Sequence, residues 1–91
     1  MHLVEFFDRA LRDASLDPSG RAAVARQGLQ AADARLRDTP EDPETLAVKG
    51  LLLRLLAGLE QNASARAALL EDADVVQERA IQARTKRLAG L

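Results

Sequence analysis

The chain has 91 residues, enough for one domain and not two. It is 47% hydrophobic and 30% charged with a net charge of −1, which excludes a disordered chain and gives no general attraction to nucleic acid or anionic membrane. There is no cysteine, so disulfides, thiolate metal sites and cysteine nucleophiles are removed together.

Alanine and leucine dominate, all but Lys49 and Lys86 of the 13 basic residues are arginine, and Phe6 and Phe7 are the only aromatics. Ala, Leu and Arg are strong helix formers and strand-favouring residues are scarce, so an all-α chain is expected. The Ala- and Arg-rich bias is that of GC-rich, bacterial-type coding. The first segment reads as a helix over about residues 3–14, with a stripe of Leu3, Phe7, Ala10 and Ala14 widened by Phe6 and Leu11. It must stop before Pro18, because proline disfavours the helical conformation in the residue preceding it.

Asp17 followed by Pro18 is a favoured start and opens a second helix over 18–38. Its seam of Ala22, Ala25, Leu29, Ala32 and Leu36 has spacings of three and four, and the small residues predict close approach to a neighbour. Asp42-Pro43 repeats the cap-then-proline start for a third helix over 43–58, with Gly58 at an expected left-handed end. That helix carries Leu46, Val48, Leu51, Leu52, Leu53, Leu55, Leu56 and Leu59 around most of its circumference. It is therefore expected to be wrapped by other helices on every side, and Leu51→Asp to unfold the chain or abolish its association.

Asn62 or Ser64 caps a fourth helix over 63–88, whose stripe is Ala65, Leu69, Ala73, Val76, Ala80 and Ala83. Acids at Asp72 and Asp74 would suit a new start and a fifth helix, but no Pro or Gly enforces a break, so one long helix is expected. The whole is a single helical domain over 1–91, built of antiparallel hairpins in a small bundle. The acids Asp38, Glu41, Asp42 and Glu44 follow a run of arginines, and Glu71, Asp72, Asp74 and Glu78 precede Arg79, Arg84, Lys86 and Arg87. Acids near helix starts and bases near helix ends are what the helix dipole favours.

Candidate chemistry is sparse. The single histidine, His2, sits at the terminus, where little holds a general base or ligand in place, and zinc has no ligand set. Glu71, Asp74 and Glu78 share a helix face, but hard cations want further oxygens from elsewhere. Ser15, Ser19 and Ser64 read as caps and turns, and Asp17-Pro18-Ser19-Gly20 lacks the glycines and the Lys-Ser/Thr of a phosphate cradle. With no aromatic near Arg84, Lys86 and Arg87 to stack on bases, RNA binding is not expected, nor is helix-turn-helix DNA binding. No apolar run approaches the ~20 residues of a membrane span, and the start Met-His-Leu-Val-Glu-Phe-Phe-Asp lacks a secretory pattern, so a cytoplasmic protein is expected.

From Pro40 to Leu53 the chain resembles a tetratricopeptide repeat, a motif that places a proline before a turn and then a helix with large residues around a glycine. Pro40, Leu46, Gly50 and Leu53 stand at the matching positions. Gly50 is then expected to lie in close contact with a neighbouring helix. The resemblance covers roughly residues 28–70. It departs at Asn62 and Arg66, where the repeat has Ala and an aromatic, and at Lys49, where it has leucine.

The resemblance implies a non-enzymatic interaction module, a small adaptor or chaperone that binds a peptide or helix of a partner, with no cofactor and no small-molecule substrate. The implied binding face on the third helix is Glu44, Ala47, Val48, Leu51, Arg54 and Leu55, with Arg54 reaching a partner carboxylate. The alternative is a structural homodimer that covers its apolar helix with a second copy.

Overall fold

A computed structural model describes residues 2–90 and contains four helices with no strand among them: α1 (Leu3–Arg12), α2 (Pro18–Asp38), α3 (Pro43–Leu59) and α4 (Ala63–Ala89). Successive helices form antiparallel hairpins. α3 packs on α1, α2 and α4, while α1 packs on α2 as well.

The starts follow local chemistry. The Asp17 carboxylate accepts the Gly20 N–H at 2.7 Å, Asp42 accepts that of Thr45 at 3.2 Å, and the Asn62 carbonyl accepts that of Ala65 at 2.9 Å. Each satisfies a donor that the first helical turn leaves open. Pro18 and Pro43 occupy first positions, where a missing N–H costs nothing. α4 runs unbroken through Asp72 and Asp74.

Two helix ends differ from expectation. α1 stops at Arg12, not Ala14, because the Asp13 carboxylate takes both the N–H (2.9 Å) and the hydroxyl (2.6 Å) of Ser15 and bends the chain out of the helix. Gly58 lies inside α3, which continues to Leu59, and no described residue has a positive φ. The chain leaves α3 in an extended conformation at Glu60, so no left-handed cap is needed.

Arginines brace all three turns. The Arg21 guanidinium donates to the carbonyls of Ala10 (2.9 Å), Leu11 (2.7 Å) and Asp13 (3.1 Å), capping the end of α1 from the second helix. Arg66 donates twice to the Glu60 carbonyl, at 3.0 and 2.9 Å, and Arg79 once to that of Pro40 at 3.2 Å. A planar guanidinium can serve several carbonyls from one position, which an ammonium does less well.

The core has two parts that share α3. Leu46 and Leu53 pack with Ala73, Val76, Ala80 and Ala83 of α4, bordered by Leu29 and Leu36 of α2. Leu52 and Leu56 pack with Ala10, Val24 and Ala25, bordered by Phe6 and Phe7. The stripe expected on α4 is buried from Ala73 to Ala83, and its small side chains seat α4 against α3.

The expectation that α3 is covered on every side is overturned. Leu51 is 44% exposed, and Glu44, Arg54 and Gly58 on the same stripe are exposed too. α1, α2 and α4 together cover only part of its circumference. Leu51→Asp is therefore not expected to unfold the chain, whereas Leu52 is fully buried.

The close-contact glycine is Gly28, not Gly50. A Cβ on Gly28 would stand 2.7 Å from Phe6 Cβ and 2.9 Å from Leu52 Cδ1, whereas one on Gly50 would meet nothing nearer than the Ala73 carbonyl oxygen at 3.8 Å. Gly28→Ala should cost about 1–3 kcal/mol by overpacking. Gly50→Ala should gain up to about 1 kcal/mol from helix propensity. Urea unfolding followed by far-UV circular dichroism distinguishes the two, and equal effects would refute this assignment.

The Asp42 carboxyl is held below its usual value of 3.8, chiefly by the hydroxyl donated from Thr45, with the Thr45 N–H and the Arg87 guanidinium adding to the effect. Asp13 is shifted the same way, mainly by the Ser15 hydroxyl and N–H. A depressed folded value means stability that is complete above the usual value and lost as pH falls through the lower one. Asp42→Ala should cost about 1 kcal/mol at neutral pH and flatten the loss of stability on acidification. An acid limb in urea titrations as steep as that of the wild type would contradict this.

Candidate functional site

The middle of the uncovered stripe of α3, at Leu51 and Arg54, becomes part of one wall of a groove, and α4 supplies the other. The groove is open to solvent and encloses about 390 Å³. Ala47, Gly50, Leu51 and Arg54 line the α3 side, and Gln77, Ala80, Ile81, Arg84, Thr85 and Leu88 line the α4 side. Ile81 and Leu88 are 55% and 63% exposed, so with Leu51 they present large apolar side chains to water. Such a concentration on a small domain marks a contact surface more often than a scattered single residue does.

The geometry follows from helix phase. α4 buries Ala73, Val76, Ala80 and Ala83 against α3, and Ile81 and Leu88 lie to one side of that stripe at a spacing of seven, two turns apart. On α3, Leu52 and Leu53 turn to the two core regions, which leaves Leu51 at the edge of the groove. The groove is thus built by two antiparallel helices held at their ends. Lys86 pairs with Glu41 at 3.2 Å and Arg87 with Asp42 at 3.5 Å at one end, while the turn after Leu59 closes the other.

Of the six residues expected on a binding face, the structure brings Ala47, Leu51 and Arg54 together in this groove. Glu44 and Val48 line a separate, smaller depression of about 170 Å³ beside His2, Leu3, Val4 and Arg35. Leu55 and Val48 are half-buried against the core region of α1 and α2, so they contribute mainly to packing. The α4 wall was missed. Its signal was present in Ile81 and Leu88, apolar residues out of phase with the alanine stripe.

Arg54 is not a bare cation. It donates to Asp74 at 2.8 Å and to the side-chain oxygen of Gln77. With 41% and 71% of the two charged side chains exposed, such a pair contributes only ~0–1 kcal/mol and exchanges readily for another carboxylate. Arg84, on the opposite wall, has no ion-pair partner among the described residues.

Other charged groups are used structurally. Lys49 pairs with Asp33 at 2.7 Å across α2 and α3. The acids Glu71, Asp74 and Glu78 do not form a group able to hold a metal, and there is no such group among the described residues. No helix is long and apolar enough to cross a membrane. Comparison with protein-family models, with curated proteins and with solved structures gives no match.

Substituting an exposed groove residue should separate surface from core. Leu51→Asp is expected to cost about 1 kcal/mol, from the poorer helix propensity of Asp and the loss of partial apolar cover. Leu52→Ala should cost about 2–5 kcal/mol. Comparable losses in thermal or urea unfolding would place Leu51 in the core and remove the groove.

Proposed function

We propose that this chain is a non-enzymatic protein-interaction module, a small helical adaptor or chaperone that receives an apolar helix or peptide of a partner in the α3–α4 groove. The observation that carries this is the trio of Leu51, Ile81 and Leu88, exposed along two antiparallel helices and gathered in one groove, whereas Val4, Leu11, Leu70 and Val75 are exposed outside it. Helix-in-groove recognition uses the same arrangement, with apolar anchors at helical spacing entering a trough between helices.

An internal precedent supports it. α3 itself sits against the α1–α2 hairpin, inserting Leu52 and Leu56 among Ala10, Val24 and Ala25. The α3–α4 hairpin offers a further helix a comparable seat. Self-association through the same groove is the second reading, favoured by the same exposed apolar residues.

A pull-down from the native host with wild-type chain, Leu51→Asp and Ile81→Asp tests the proposal. The wild type should retain a specific protein that both variants lose while remaining helical and cooperatively folded by circular dichroism. Equal recovery by all three would refute it. Light scattering separates the second reading, which requires a dimer that Leu51→Asp converts to a monomer.

A further inference from the structure

The groove has a charge as well as a shape. Its lining holds two arginines, Arg54 and Arg84, and no acidic residue. This is unusual on a chain with 14 acids, 13 bases and a net charge of −1. The other basic residues at that end of α4 are occupied: Arg79 by the Pro40 carbonyl, Lys86 by Glu41 and Arg87 by Asp42. Arg84 lines the groove beside Ile81 and Leu88 with no ion-pair partner among the described residues, and Asp74, outside the lining, is engaged by Arg54.

Taking the interaction-module reading above as its basis, we infer that the groove's occupant is an amphipathic helix of a partner protein whose apolar stripe is edged by Asp or Glu. Leu51, Ile81 and Leu88 meet the stripe. Arg84 meets a carboxylate on its edge, and Arg54 can exchange Asp74 for a second one, since both members of that pair are exposed to solvent.

The same charge argues against a second copy of this chain as the occupant. A two-fold pairing sets a patch against itself, so groove on groove would bring two Arg84 guanidinium groups, unpaired among the described residues, into one apolar interface, each Arg54 there being already held by its own Asp74. Like charges placed together across an interface disfavour that partner. A basic-edged helix is disfavoured for the same reason. The complementarity selects among helices rather than supplying the bulk of the affinity, which comes from the apolar contact.

The experiment is selection from a displayed library of amphipathic helical peptides with leucines fixed at spacings of three and four and randomised flanks. It is run on the immobilised full chain, on Arg84→Glu and on Leu51→Asp. Arg84 is exposed and Leu51 half-exposed, so both variants should fold, which circular dichroism verifies. On wild type, leucine-striped peptides should be enriched, with Asp or Glu on one flank favoured by about two- to fivefold, the size of a partly exposed ion pair.

On Arg84→Glu the flank preference should vanish or turn basic while the leucine stripe is still selected. On Leu51→Asp the stripe itself should lose its advantage. Stripe selection without acid preference, or acid preference that survives Arg84→Glu, overturns the charge assignment and leaves the groove intact as a binding site. Stripe selection that persists unchanged on Leu51→Asp, or none on wild type, overturns the groove reading as well. A wild-type dimer that Leu51→Asp dissolves would overturn the partner assignment in favour of a second copy.

Discussion

Where α1, α2 and α3 meet, Phe6 and Leu52 occupy the volume that a side chain on Gly28 would fill. This lack of a Cβ lets α2 lie close beneath both neighbours, and it sets the rotation of α3. With Leu52 turned toward Gly28, Leu53 and Leu46 turn to α4, and Leu51 has no helix left to meet it. The groove is the remainder of that arrangement. Its apolar floor follows from a helix that packs two sides and carries leucine on a third.

How much of this could be read from the residues depends on whether the cause was local. Asp17-Pro18 and Asp42-Pro43 act within one helical turn, so the starts of α2 and α3 were legible. The alanine stripe of α4 was legible because period alone carries it. Leu51 and Leu52 are chemically identical, and only the neighbours decide which is wet. Gly50 drew attention because it fits a family pattern, while Gly28, between Gln27 and Leu29, had no pattern to mark it. The end of α1 escaped because Asp13 and Ser15 offered the backbone a local alternative that periodicity does not register. The expected face overlaps the groove at Ala47, Leu51 and Arg54, and nothing on α4 was expected there, since pairing two helices is a tertiary fact.

The arginine excess has a structural use that composition conceals. Arg21, Arg66 and Arg79 each reach carbonyl oxygens at a different turn, and Arg21 alone serves three. Carbonyls at helix ends lack intrahelical donors, and a short turn leaves little room for a residue of its own to supply them. Charge distribution near the helix ends therefore reflects directed hydrogen bonds across the fold in addition to the axial dipole.

Beyond Ala83, α4 buries no further side chain among the described residues, and its last turns are tied to the α2–α3 connection by Lys86 and Arg87 alone, both with solvent-exposed partners or heads. Ions screen such contacts over about 8 Å at physiological strength and over less in concentrated salt. The two halves of the trough therefore differ in kind: the Ala73–Ala80 stretch is clamped by packing, whereas the mouth around Leu88 is tethered by charge. Concentrated electrolyte should accordingly weaken the tether at the Leu88 end while leaving the packed Ala73–Ala80 end as it is.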